Sequence, residues 1–167
     1  MNAMNAMRIV SSLRLAGVEP TVGGGWAIDA LLGRQTRPHS DLDLWVPAED
    51  LESLVKAFVG LGLDRLFPWG DDRPWNFVVH DGSALRVDLH FYERLSEGQV
   101  HYGGVRGGEV FDSAALRGQG TIAGASVACE SPEWRWHTGY PPRSVDRDDV
   151  ANLCAHFRLA LPDAYRE

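Results

Sequence analysis

The sequence predicts an α+β fold, a mixed β-sheet flanked by helices, with more helices at the C-terminal end. Three observations predict it. Apolar residues recur at helical spacing in 7–16 and 48–60, and with period two in 41–46 and 84–92. From Ser131 onward the pattern turns helical again. Strands and helices interleaved in this way, without a regular βαβ rhythm, describe an α+β arrangement.

The elements follow in order. Ile9, Val10, Leu13 and Leu15 predict a first helix that stops at Gly17, while Met1 to Arg8 reads as a frayed extension. Pro20 to Val22 is extended and runs into Gly23-Gly24-Gly25; residues 26–32 then read as a helix closed by Gly33. The polar stretch 33–40 is a loop. Asp41 to Val46 is a strand ended by Pro47, and 48–60 is an amphipathic helix with Leu51, Leu54, Val55 and Phe58 on its inner face. Strands are predicted at 63–67, 75–80 and 84–92, with Asp81-Gly82 as a hairpin turn between the last two. The Gly-rich stretch 98–108 reads as a loop, followed by extended pieces at 109–112 and 121–128. Ser131 and Pro132 are suited to open a helix that ends near Gly139. Pro141-Pro142 break the chain, and Asp146 to Leu159 forms a last helix with Val150, Leu153, Cys154 and Phe157 inward.

With 167 residues the expectation is one domain, its core about 8–128 and its helical part about 131–160. A net charge of −7 disfavours a nucleic-acid partner, which needs a basic surface. No apolar run is long enough for a membrane span. Cys129 and Cys154 lack metal-ligand spacing, and Cys154 falls on an apolar helix face as a buried free thiol. A reduced, cytoplasmic setting is the default expectation.

Ser40-Asp41-Leu42-Asp43-Leu44-Trp45-Val46 carries the most chemistry. On a strand Asp41 and Asp43 share one face, where two carboxylates repel each other unless a cation sits between them. Mg²⁺, a hard cation that takes oxygen ligands, resolves that conflict. An isolated Asp-x-Asp is more often a solvated acidic face, so the pair needs support. Gly23-Gly24-Gly25 opening a helix adds some, because glycines admit a phosphate to a helix N-terminus. Arg86-Val87-Asp88-Leu89-His90 adds more: if its strand lies beside that of Asp41, Asp88 completes a three-carboxylate site. His90 shares that face, where a satisfied core histidine is the plainer reading. For His39, orienting Asp41 or reaching a phosphate stands beside a solvent-facing loop role. Trp75, Tyr92, Trp136 and Tyr140 are candidates to stack on a base or sugar, and Glu93 and Glu109 to attract a cationic amine.

The stretch Gly24-Gly25-Trp26-Ala27-Ile28-Asp29-Ala30-Leu31-Leu32-Gly33-Arg34-Gln35-Thr36-Arg37-Pro38-His39-Ser40-Asp41-Leu42-Asp43 resembles the head of the small antibiotic nucleotidyltransferases. These are the lincosamide nucleotidyltransferases and aminoglycoside 2''-adenylyltransferases, within the DNA polymerase β-like superfamily. Asp88-Leu89-His90 is similar to the family's second acidic strand, and His137-Thr138-Gly139-Tyr140 with Asp146 to Leu153 to the C-terminal helical part of the lincosamide group. The resemblance implies transfer of a nucleoside monophosphate, AMP from ATP or that of another NTP, to a hydroxyl of a small antibiotic. It implies two Mg²⁺ ions on Asp41, Asp43 and Asp88, with Asp88 also the general base. It implies nucleotide contacts from Gly24, Gly25, Trp26, Arg37 and His39, and a homodimer. Trp26 stands where the wider superfamily often has serine. The only lysine is Lys56, in a helix, so Arg34 or Arg37 is left to meet the triphosphate. Two alternatives stay open. One is a toxin-like enzyme modifying tRNA or a protein, with a patch from Arg65, Arg73, Arg86 and Arg94; the other is a non-catalytic nucleotide-binding module.

Overall fold

The computed structural model describes residues 1–68, 76–134 and 143–166. Helix α1 (Ala3–Leu15) leads to β1 (Thr21–Val22), α2 (Gly24–Leu32), β2 (Leu42–Pro47) and α3 (Leu51–Leu61). Then come β3 (Arg65–Pro68), β4 (Asn76–His80), β5 (Arg86–Arg94), β6 (Gln99–Gly104) and β7 (Gly107–Asp112). Strands β8 (Gly118–Ile122) and β9 (Ala125–Cys129) precede α4 (Ser144–Phe157). The described strands form one mixed sheet in the order β3-β4-β5-β2-β1-β9-β8, with β6 and β7 continuing from β5. Pairs β2–β5 and β1–β9 are parallel and the others antiparallel. The predicted α+β class is therefore what the chain adopts.

Alternation along β2 and β5 divides the two faces of the sheet. Leu42, Leu44 and Val46 of β2, with Val87 and Leu89 of β5, are buried in the larger core against Ile9, Val10 and Leu13 of α1 and Leu54 and Phe58 of α3. Each such fully buried side chain contributes about 1.5–3 kcal/mol. The intervening residues Asp43 and Trp45 of β2, and Asp88, His90 and Tyr92 of β5, fall on the opposite face. There Trp45, Tyr92, Val100, Tyr102, Leu116 and Trp134 form a second, aromatic cluster. The two strand carboxylates Asp43 and Asp88 thus share the aromatic face.

Several elements depart from the sequence reading. Helix α1 starts at Ala3, not near residue 7, because the Asn2 side chain accepts from Asn5 N at 2.8 Å and Ala6 is buried. Leu15 ends that helix pointing to solvent, 90% exposed. On α3 only Leu54 and Phe58 turn inward; Leu51 and Val55 are half exposed, since α1 covers a narrower stripe than the apolar pattern offers. The Gly-rich stretch 98–108 is not a loop: it holds β6 and the start of β7. Gly103 and Gly108 pair across that hairpin, where a Cβ on Gly103 would overlap the Gly108 backbone. Those glycines answer strand–strand proximity, not a turn. The piece 121–128 is a hairpin, β8–β9, rather than one extended segment. Ser131 to Trp134 make a turn instead of an α-helix, and 135–142 lie outside the described residues. In α4, Val150, Leu153 and Cys154 are buried as expected, but Phe157 is 37% exposed. Both cysteines are free and buried. No described helix is long and apolar enough to cross a membrane.

Candidate active site

The parallel register of β2 and β5 sets Asp43 beside Asp88 and Trp45 beside His90. Neighbouring strands lie about 4.8 Å apart, so two carboxylates in register repel by roughly 3 kcal/mol at an effective dielectric near 20. Asp41 precedes β2, one residue before Leu42, whose partner Val87 follows Arg86. Arg86 Nε lies 3.1 Å from Asp88 Oδ1 and 3.8 Å from Asp41 Oδ2. The structure therefore gathers all three predicted acids at one end of the β2–β5 pair, with a guanidinium against two of them.

Their environments differ. Asp88 is 4% exposed, whereas Asp41 and Asp43 are half-buried. Burial raises the Asp88 carboxyl, the Arg86 hydrogen bond pulls it back, and repulsion from Asp43 adds to the rise, leaving it pushed up to about 6. On Asp43, Oδ1 is 3.3 Å from His90 Nε2. His90 Nδ1 is 3.0 Å from the Tyr102 hydroxyl, which donates to Asn76 Oδ1 at 3.2 Å. His90 is buried, stacked on Trp45 at 4.7 Å, and ties Asp43 to the aromatic cluster.

The glycine run fits against these acids. Gly24 opens α2 at φ +57°, and a Cβ there would overlap the Asp43 carboxylate. Gly24 N donates to Glu130 Oε2 at 3.2 Å, and Trp45 Nε1 donates to Glu130 Oε1 at 2.6 Å. At Gly25 a Cβ would lie 2.5 Å from His39 Nδ1. The helix start is thus bare so that Asp43, Glu130 and His39 can close on it.

Arg37 and His39 belong to a different cluster. His39 Nε2 meets Asp29 Oδ2 of α2 at 2.5 Å, and its Nδ1 lies 3.1 Å from Arg37 Nη1. Arginine only donates, so Nδ1 is the acceptor and Nε2–H donates to Asp29. Arg37 Nη2 reaches Asp149 of α4 at 3.0 Å, and Thr36 N and Oγ1 both donate to Asp29 Oδ1. Burial alone would raise the Asp29 carboxyl, but the hydrogen bonds from His39 and Thr36 outweigh it and hold it below its ordinary value. Trp26 is buried with its ring 4.6 Å from His39.

Among the described residues, no group of three or more His, Cys, Asp and Glu side chains stands tightly enough to hold a metal ion as they are. The donor set nevertheless suits a hard divalent cation: it is all oxygen, two of its members are in register, and it is short of positive charge. Arg86 now supplies part of that charge. Beyond the acids, Trp45 leads through Phe111 and Trp134, whose rings are 4.2 Å apart, to an open cleft of about 710 Å³. Glu109, Asp112 and Glu133 line that cleft with Phe111 and Trp134.

Of the other candidates, Tyr92 is buried in the aromatic cluster and Glu93 is exposed beside His101. Trp75, Arg73, Trp136 and the stretch His137 to Tyr140 lie outside the described residues. Sequence reasoning missed Asp29, Glu130 and Asp149. Asp29 had a signal, an acid inside the apolar helix WAIDALL. Glu130 follows an apolar strand, and nothing local marks it as buried.

The chain is similar to several known proteins. A curated 2''-aminoglycoside nucleotidyltransferase of Klebsiella pneumoniae is 55% identical over 115 residues, which are 67% of this chain and 58% of the relative. The chain thus spans little more than half the length of that relative. The crystal structure of a lincomycin-bound lincosamide antibiotic adenylyltransferase superposes with a TM-score of 0.74 at 22% identity, covering 90% of this chain and 94% of the other. That of ANT(2'')-Ia in complex with adenylyl-2''-tobramycin gives 0.69 at 23% identity, covering 93% and 88%. At such identities these two establish the fold alone. The family model described as aminoglycoside-2''-adenylyltransferase matches residues 5–153, and the chain belongs to that family.

Proposed function

We propose that the chain transfers AMP from ATP to a hydroxyl of a small antibiotic, an aminoglycoside in the first instance, in the cytoplasm where ATP is supplied. The carrying observation is the register that sets Asp43 beside Asp88 with Asp41 adjoining. The 2''-aminoglycoside relative and the acidic cleft beyond Trp45 support the acceptor class, because Glu109, Asp112 and Glu133 suit a polycation.

Asp41, Asp43 and Asp88 are the residues that would hold Mg²⁺, which when bound neutralises charge on the entering and leaving oxygens of an in-line displacement. The chain's own contributions are positional. Asp88 would accept the proton of the attacking hydroxyl: in the metal-free site burial and repulsion from Asp43 lift its carboxyl above the ordinary value. His90, fixed by Tyr102, holds Asp43 in place. The start of α2, stripped of side chains at Gly24 and Gly25, brings backbone close to where phosphate oxygens lie. Arg37, His39 and Trp26 act one layer out, holding the 33–40 loop against α2 and α4. Two subunits forming a homodimer are proposed as the working assembly.

The test is an acceptor screen with labelled ATP, GTP, CTP and UTP against kanamycin, tobramycin, clindamycin and bulk tRNA in Mg²⁺. Label transfer from ATP to an aminoglycoside, with pyrophosphate released, is the expected result. Transfer to tRNA alone would replace the acceptor assignment, and nucleotide binding without transfer to any acceptor would overturn the enzymatic reading.

A further inference from the structure

ATP brings several negative charges to a site that already holds three carboxylates, in a chain of net charge −7. Some cation of the chain has to face the triphosphate. The lysine that would ordinarily be sought is missing: Lys56 lies on α3, exposed and paired with Glu52. Arg37, in the loop that follows α2, is held between Asp149 and His39.

Arg86 is placed differently. It is the first residue of β5, two positions before Asp88, so its side chain leaves the same face of the strand. Its contact with Asp88 is loose, 3.1 Å from Nε and 3.4 Å from Nη2, with Asp41 at 3.8 Å. A better-formed guanidinium–carboxylate pair, Arg143 with Asp146, has both nitrogens at 2.9 Å. Arg86 is also 40% exposed, whereas the Asp88 side chain it touches is 6% exposed. A long, partly solvated side chain with an imperfect fork can change partners at little cost. The two groups it now neutralises are the ones that a divalent cation would take over.

We propose that Arg86 binds the triphosphate of the nucleotide, and that its present contact with Asp41 and Asp88 is a resting position given up when nucleotide and cation arrive. The proposal rests on the nucleotidyltransferase reading above. In the resting state Arg86 competes with the cation for two carboxylates; in the loaded state it faces phosphate oxygens and the cation faces the carboxylates. Arg86 thereby acts twice, first keeping the acids apart from one another's charge and then meeting the donor.

The experiment compares wild type, Arg86→Gln and Arg86→Lys in the full chain, with thermal melting to confirm folding. Mn²⁺ binding without nucleotide is read by electron paramagnetic resonance, and binding of a non-hydrolysable ATP analogue with Mg²⁺ by equilibrium dialysis. Arg86→Gln is expected to tighten Mn²⁺ several-fold and to weaken the ATP analogue about 10-fold or more, the loss of one charge-assisted contact. Arg86→Lys should recover most of the nucleotide affinity. Unchanged nucleotide affinity in Arg86→Gln overturns the triphosphate role even if Mn²⁺ tightens. Weaker Mn²⁺ binding overturns the resting-position role, since it would mean that Arg86 merely braces Asp88. A wild type that binds neither Mn²⁺ nor the ATP analogue overturns the nucleotidyltransferase reading itself, and this proposal with it.

Discussion

Two carboxylate clusters sit within one loop of each other and behave in opposite ways. The partly exposed Arg86 guanidinium lies against Asp41 and Asp88, and burial together with repulsion from Asp43 leaves Asp88 up at about 6. Asp29 and Asp149 are as deeply buried as Asp88, yet Thr36 and His39 donate to the two oxygens of Asp29, Arg37 donates to Asp149, and Asp29 is held below its ordinary value. In the first cluster burial and like charge leave Asp88 raised, and in the second hydrogen bonds hold Asp29 down. A raised carboxyl among carboxylates fits the cation site proposed above, and a hydrogen-bonded cluster acts as a clasp. Here the clasp closes the 33–40 loop, which delivers Asp41 to its place, onto α2 and α4.

The sharpest way to break this comparison is to remove one acid from the first cluster. Asp43→Asn keeps the shape and removes a charge. Nucleotidyl transfer should fall by about 10³-fold or more, as when a group aligned with transition-state charge is lost. Its melting temperature without metal should rise, because the in-register repulsion with Asp88 is gone. A fall in melting temperature would show that Asp43 is structural, and retained turnover would remove it from the site.

Asp29→Ala probes the other side. It strands buried donors of His39 and Thr36, at a cost of about 3 kcal/mol, read by denaturant unfolding. The pH dependences should also oppose each other. Asp88 is raised in the fold, so its stabilising contribution is complete below pH 3.8 and is lost as pH rises through about 6. Between those values metal-free wild type should lose on the order of 3 kcal/mol relative to Asp88→Asn. Asp29 is lowered, so its contribution is present above pH 3.8 and is lost as pH falls through its depressed value. Parallel unfolding curves for wild type and Asp88→Asn across pH 4–7 would remove the contrast.

How much of this was legible in the sequence depends on the range of the signal. Asp43 and Asp88 were legible because alternation on two strands fixes the face of each side chain, and only the pairing of those strands had to be supplied. The start of α2 was legible through its glycines, but their purpose was not: Gly24 makes room for Asp43, and that contact joins residues nineteen positions apart in sequence. Glycines at 98–108 read as a loop because composition does not distinguish a turn from two backbones in close approach, as at Gly103 and Gly108. Arg37–Asp149 and Trp45–Glu130 are separated by 112 and 85 residues, and nothing in a local pattern announces such pairs. Burial likewise exceeds the local pattern: Leu51 and Val55 look like core on a helical wheel, yet α3 has only one covered stripe.

Glu130 is where the comparison can be made finest, because it stands between the two clusters and shares features of both. It is buried like Asp29, and Trp45 Nε1 and Gly24 N donate to its carboxylate. It also lies at the helix start that Asp43 closes upon. Trp45→Phe removes the 2.6 Å indole donor while keeping a ring against His90 and Tyr102. If Glu130 is part of the clasp, the cost is one charge-assisted hydrogen bond, about 1.5 kcal/mol of stability, with kinetics unchanged. The geometry at Gly24 argues for more. A Glu130 released from Trp45 is a carboxylate free to turn toward the phosphate-facing end of α2, where a second negative charge opposes the donor. KM for ATP should then rise several-fold while kcat holds, and adding Glu130→Gln should restore KM without restoring stability. A KM that stays fixed in Trp45→Phe would assign Glu130 to the clasp, and the boundary between the two clusters would move to Gly24.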